Sequence, residues 1–286
     1  MISRQLDIAN AHRHRQRLYF YYWHGIGAWT QGSAFSLWPY GGTYGYPGPG
    51  ASAPTTPGEI PSAATAGALR LTVAPPEGNK LYLVRSKFVF FCGASSVMGG
   101  TPSLRAPLRL HDRLYHCQFS CVTNGTVAIN GATVTRGEAA GVGNSIAIEV
   151  TGNPQGGNIG VTYINQDGVQ KQTSTTAPMG QGDTGGGRWL PCALAVGDTG
   201  VQSIVSVQCN SLQYVAGRVE TVVIAREIAH LFSSWPPQSN ASASQDALDH
   251  GLAVVDKDAC LFLVAALTSS SDNPSVIGGW LDILEA

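Results

Sequence analysis

RLHDRLYHCQFS (109–120), VTRGEAAGVGNSIAIEV (134–150), NIGVTYINQDGVQKQT (158–173) and RWLPCALAVGDTGVQSIVSVQC (188–209) decide the fold. Each holds an apolar run of strand length, and Gly, Asn, Asp or Pro separates one run from the next. Such punctuation reads as short antiparallel strands joined by tight turns. Within these stretches 145–151 alternates Ile146, Ile148 and Val150 on one face. Gln166-Asp167-Gly168 predicts a reversal, with Gly168 free to take positive φ, between 158–165 and a return strand at 169–175. Asn130-Gly131, inside 126–135, is the strongest short hairpin signal in the chain. The segments 188–196 and 201–209 flank Gly-Asp-Thr-Gly, and 217–229 closes the group. Seven or more strands at this spacing predict an all-β fold, an antiparallel β-sandwich of jelly-roll type.

The flanks read differently. Arg4 to Arg17 is the best helix candidate, with weak periodicity. Eleven aromatic residues follow between Tyr19 and Tyr46. The basic residues His12, Arg13, His14, Arg15 and Arg17 end before the aromatics begin, so the two are not interleaved as a single-strand stacking groove requires. The reading is an arm whose aromatics pack onto its own domain or a neighbouring subunit, with Tyr19, Phe20, Tyr22, Trp23, Trp29 and Trp38 as the expected subunit contacts. Residues 40–76 are too rich in Pro and Gly for a helix or central strand and read as an extended linker along neighbouring subunits. Thus 1–76 is an extended N-terminal arm, 77–232 the sandwich core, and 233–286 a loop plus C-terminal strands. Within the core, 80–93 is the first strong strand. The polar 233–256 reads as a loop, 259–267 as a buried strand and SVIGGWLDILEA as a closing strand. Its Trp280, Leu281, Ile283 and Leu284 form a second contact surface, since an apolar terminus is usually docked.

Composition narrows the function. The chain has 286 residues, enough for a large core, and net charge −1. That total implies neither nucleic acid nor an anionic membrane. Charged residues are 12% against ~25% in an average soluble domain. Depletion of Lys, Glu and Asp suits a surface covered by neighbours. No run reaches the ~18 apolar residues of a membrane span. MISRQLDIANAHRHR lacks the apolar centre of a signal peptide, so synthesis in a cytoplasm is expected. Phosphate-loop, dinucleotide, zinc-protease, EF-hand and nucleophile-elbow patterns are missing, and the Gly-rich 180–189 lacks the Lys and helix of a phosphate cradle. The Asp residues sit mostly in turns, where they cap their own backbone. No catalytic residue, cofactor or metal is expected. Of six Cys, 92, 192, 209 and 260 read as small buried hydrophobes. A zinc site wants tighter ligand pairing than Cys117 and Cys121 offer and a second cluster elsewhere, so these two are the candidates for a disulfide, including one between subunits.

The blocks LHDRLYH (110–116), VTRGEAAGVGNSIAIEV (134–150), VTYINQDGVQ (161–170), RWLPCALAVGDTGVQSI (188–204) and GRVETVVIARE (217–227) resemble virion structural proteins of tailed bacteriophages, of the head and neck region. The resemblance covers roughly half of the chain. Its motifs are turns and strand starts, which specify a fold family better than a function. The family is Gly- and Ser-rich where this chain has Cys117 and Cys121, and this arm is longer and more aromatic. The resemblance implies a non-enzymatic homotrimer in the virion, as capsid decoration, neck collar or tail attachment, with capsid, portal or tail proteins as partners. The other reading is a carbohydrate-binding sandwich of an adsorption appendage, with Trp29, Trp38 and Tyr44 stacking on sugars.

Overall fold

The computed structural model describes residues 15–23, 34–40, 50–71, 80–92, 108–120, 124–150, 158–173, 177–178, 187–210, 219–231, 240–246, 253–266 and 274–285. The strands in chain order begin with β1 (Gln16–Trp23), β2 (Ala34–Ser36), β3 (Leu81–Cys92), β4 (Leu108–Phe119) and β5 (Gly125–Ala128). Next come β6 (Asn144–Val150), β7 (Asn158–Asn165), β8 (Gln170–Gln172), β9 (Ala177–Pro178), β10 (Arg188–Cys192) and β11 (Val201–Asn210). The last are β12 (Glu220–Leu231), β13 (Asn240–Asp246), β14 (Val254–Val255), β15 (Leu261–Ala266) and β16 (Pro274–Glu285).

Among the described strands all pairings are antiparallel, as the punctuation predicts, but the architecture is not a two-sheet sandwich. Strands β10-β2-β15-β4-β12-β6 close into a barrel. One flanking sheet runs β1-β16-β3-β13, with β14 also on β3; the other runs β5-β11-β7-β8, with β9 also on β7. We call these the terminal sheet and the motif sheet. The apolar residues fall into three clusters that follow this plan. Leu18, Phe20, Leu83, Phe88 and Ile283 of the terminal sheet pack on Phe35, Leu110 and Leu263 of the barrel. Val161, Tyr163 and Val207 of the motif sheet pack on Tyr115, Ile148 and Ile224. The third cluster, with Trp38, Trp189, Val223 and Phe262, draws on barrel strands and the segments beside them. Alternation explains this: each barrel strand gives one face to a flanking sheet and the other to the barrel interior.

Several expectations change. The segment 1–76 is not a free extended arm. Within it β1 joins the C-terminal β16, with Tyr19 opposite Trp280, and β2 completes the barrel. The division into arm, core and C-terminal part therefore does not follow the sheets, which mix all three. Residues 4–14 of the expected helix lie outside the described residues, and Gln16 and Arg17 begin a strand. Second, the Pro/Gly segment fastens to its own chain. Glu59 and His116 exchange both backbone hydrogen bonds at 3.0 Å, Gln118 N donates to Pro54 O, and Leu69 N donates to Leu261 O. This strap occupies the edge of β4 beyond the end of β15. Part of the expected 233–256 loop is strand, β13 against β3.

The third change concerns Asn130-Gly131, which does not reverse the chain. Asn130 has φ 51°, and the N–H groups of Ile129 and Asn130 both reach Val205 O. Gly131 N and Val134 N then donate to Ile204 O and Gln202 O, so the chain continues along β11. The left-handed residue makes a bulge-like irregularity rather than a hairpin. By contrast, Gln166-Asp167-Gly168 does reverse the chain: Gly168 has φ 74° and β7 pairs with β8. The Gly-Asp-Thr-Gly flanks do not pair with each other, since β10 belongs to the barrel and β11 to the motif sheet.

Candidate functional site

Three places gather polar chemistry: the barrel interior, a corner where the sequence motifs meet, and the outer face of the terminal sheet.

Inside the barrel, Arg113 is fully buried and donates to both Glu149 carboxylate oxygens, at 3.2 and 2.8 Å. Its Nε donates to His116 Nδ1 at 3.0 Å. Since that nitrogen accepts, the proton of neutral His116 sits on Nε2 and is donated to Glu59 at 2.8 Å. The guanidinium also lies 4.6 Å from the Trp38 ring centroid and 5.5 Å from that of Phe262. Nearby, Asp112 accepts from Arg136 at 3.1 Å and from the Cys260 N–H at 2.8 Å. Burial pushes the Asp112 carboxyl up, opposed by Arg136. Burial, and then Arg113, pushes His116 down to about 2; burial, and then Arg109 and His230, pushes His111 down to about 3. Both imidazoles are therefore neutral at pH 7.

A carboxylate–histidine pair invites comparison with a catalytic base. Here both His116 nitrogens are used, one accepting from Arg113 and one donating to Glu59, so neither is left to take a substrate proton. The adjacent Cys117 is buried, and its thiol is raised by burial and directed to the Gln118 carbonyl. This arrangement fixes the strap against β4. No run of sequence announces it, because Glu59 and His116 lie 57 residues apart.

At the corner, three of the motif blocks interlock. Asn165 Oδ1 accepts from the N–H groups of Asp167 and Val169, holding the reversal. Asp198 accepts from Tyr163 at 2.6 Å and Asn165 at 2.9 Å. Gln166 Oε1 accepts from Thr199 N, and Gly143 N donates to Thr199 O. A methyl group at Gly200 would stand 2.1 Å from Gly141 O, so the two loops meet only through glycine. The Asp and Gly residues of these blocks are turn chemistry, as their sequence suggests.

The terminal sheet collects the residues expected as subunit contacts and divides them by face. Phe20, Tyr22, Leu281 and Ile283 point into the core, at 2%, 2%, 0% and 0% exposure. Leu284 and Trp38 are buried too. These six are corrected from subunit contacts to buried residues of their own chain; for Phe20, Tyr22, Leu281 and Ile283 the cause is the period-two alternation of β1 and β16, which turns them inward. Trp38 instead packs edge-on to Phe262, with its indole N–H on Ala51 O. The other face keeps Tyr19 56% exposed and Tyr21 39% exposed, beside half-buried Trp280. Arg17 spans this face. It donates to both oxygens of the buried Asp282 at 2.7 and 2.9 Å, and its guanidinium lies 4.0 Å from the Trp280 ring centroid. Arg15 is 3.5 Å from the same carboxylate. The Trp23 side chain, Trp29, Tyr44 and Cys121 lie outside the described residues. Within this chain Cys117 is a free thiol, which corrects an intrachain Cys117–Cys121 pair; Cys209 is disulfide-bonded, and Cys192 and Cys260 are buried free thiols.

An open cleft of about 590 Å³ borders the corner at Val142 and Gly143 and is lined further by Lys80, Glu138, Arg226 and Asp256. Among the described residues no helix is long and apolar enough to cross a membrane.

No family model matches the chain. No curated protein matches it. Among solved structures it is similar to infectious bursal disease virus of the Gx strain, with 12% identity, 95% of this chain and 79% of that chain covered, and a TM-score of 0.21. The Gt strain gives 10% identity, 95% and 80% coverage and a TM-score of 0.20. The VP2 subviral particle of the same virus gives 12%, 95%, 80% and 0.20. TM-scores this low fall short of a shared fold, so the architecture stands on its own strand pairings.

Proposed function

We propose that this chain is a non-enzymatic structural subunit of a tailed-phage virion, set at the capsid surface or head-to-tail neck and assembling as a homotrimer. The observation that carries the reading is the outer face of the terminal sheet. It brings together the two chain ends that the sequence marks as contact surfaces and leaves Tyr19 and Tyr21 in water beside Trp280. Exposed aromatics on a rigid sheet are what an assembly contact uses. The motif blocks that resemble phage head and neck proteins do a matching job, because they lock the body that presents this face. Its partners are copies of itself and capsid, portal or tail proteins, with no nucleic acid, membrane or cofactor required. It is made in the host cytoplasm and ends in the virion.

The carbohydrate-binding reading loses one of its three aromatics, since Trp38 is buried in the barrel. Gradient-purified particles of the source phage, analysed by quantitative mass spectrometry, test the proposal. The expected result is this chain in fixed stoichiometry with the major capsid protein. Its absence from washed particles, or binding of the isolated protein to a host-glycan array, overturns it.

A further inference from the structure

We propose that the free edge of β1 pairs with β1 of a second copy about a two-fold axis, giving one continuous sheet across two subunits. This rests on the reading of the terminal sheet as the assembly surface, and it names the contact.

Among the described strands β1 pairs with β16 alone, so it forms one edge of its sheet. An edge strand exposes backbone donors and acceptors, and proteins usually blunt such edges with short length, Lys, Pro or a bulge. The other edges here are blunted. β5 has four residues, β8 is the exposed triplet Gln-Lys-Gln, and β13 is the polar, small-residue NASASQD. β1 differs from all three. QRLYFYYW has eight residues without Lys, Pro or Gly, and its register with β16 runs unbroken from Gln16 to Trp23. Five of the eight are aromatic, the residue class that favours strands most.

The same sequence is complementary to itself. With Phe20 on the axis, antiparallel pairing puts Tyr19 opposite Tyr21 of the second copy and Leu18 opposite its Tyr22. Residues that already point inward then meet residues that point inward, and outward ones meet outward ones, as directly opposed residues must. The one charged residue of β1, Arg17, would stand six residues, about 20 Å, along the strand from its symmetry mate. Beyond that its charge is already answered by Asp282. Arg15, Arg85 and Lys87 are the other cations near or on this face, with Asp246 at its far strand. A two-fold contact of this kind links trimers or monomers equally well.

The full-length protein at about 50 μM is compared with Tyr19→Lys/Tyr21→Lys by sedimentation equilibrium. The variant sets Lys opposite Lys across the axis, on side chains that are exposed in the single chain, so its circular dichroism and melting should not change. The expected result is a mass for the unaltered protein about twice that of the variant. Equal masses overturn the pairing. A second test does not depend on that variant. Tyr19→Cys and Tyr21→Cys proteins, mixed and mildly oxidised, should cross-link several-fold more than either alone, with the unaltered protein as background. Equal yields in the mixture and the separate samples contradict the register. Doubling in solution without incorporation into particles would remove the virion reading and leave the strand pairing standing; incorporation without doubling would do the reverse.

Discussion

The barrel interior and the outer face of the terminal sheet invert the usual distribution of residues. The barrel buries Arg113, Glu149, Asp112, His111 and His116, while the sheet face leaves Tyr19 and Tyr21 in water. The charges inside are matched: Arg113 with Glu149, Arg136 with Asp112, and neutral His116 between Arg113 and Glu59. Buried ions are costly unless each has a partner and further hydrogen bonds, and here the network fixes the strap 50–71 to β4. Outside, Tyr19 reaches only the neighbouring Arg17, and the outer faces of both tyrosines stay in water. The difference separates a part that holds the subunit together from a part available to something else.

The sharpest break in that comparison is Arg113→Met. It strands Glu149 as an unpaired buried carboxylate, and a loss of about 3–5 kcal/mol is expected in urea unfolding. Arg113→Met with Glu149→Leu should recover much of it. A cost below about 1 kcal/mol for the single change would mean that the network does not hold the barrel.

Acid provides the next largest effect. His111 and His116 have folded pKa values depressed to about 3 and about 2. Their contribution is complete above the unfolded value of ~6.5 and is lost as pH falls below it, by up to about 1.4 kcal/mol per pH unit for each. Asp112, raised by burial, works the other way, but only in the carboxylate range. Both ring nitrogens of His111 are buried without a hydrogen-bond partner. His111→Leu should therefore raise the melting temperature more at pH 5 than at pH 8. An equal shift at both pH values would contradict the assignment of the acid sensitivity to this imidazole.

On the sheet face, Asp282→Asn weakens the pairing of Arg17 and Arg15 at the β1–β16 junction. Because Arg17 is 29% exposed, the expected loss is only about 1–2 kcal/mol. Smallest of all in stability are Tyr19→Ala and Tyr21→Ala, within about 0.5 kcal/mol of the unaltered chain. Their effect should instead fall on assembly, read as incorporation into particles in a complementation assay. Variants that incorporate normally would remove this face from the contact.

Much of this was legible in the sequence. Strands β3, β6, β7, β12, β15 and β16 follow from alternation and turn residues, and Gly168 acts as its spacing predicts. Barrel closure was not legible, because it depends on β2, three residues long, joining β10 to β15 across more than 150 positions. Asn130-Gly131 misleads for a related reason: a left-handed residue can make a bulge or a hairpin, and the neighbouring β11 decides which. The contact residues were half legible. Composition marked β1 and β16 as sticky, but only their pairing shows that Phe20, Tyr22, Leu281 and Ile283 satisfy each other while Tyr19 and Tyr21 do not. The Glu59–His116 pair left no local signal at all.

The most direct measurement is a cryo-electron density map of the phage particle at side-chain resolution. The expected density for this subunit has Tyr19, Tyr21 and Trp280 lying against another protein chain. A map with no such subunit, or with that face open to solvent in every copy, contradicts it.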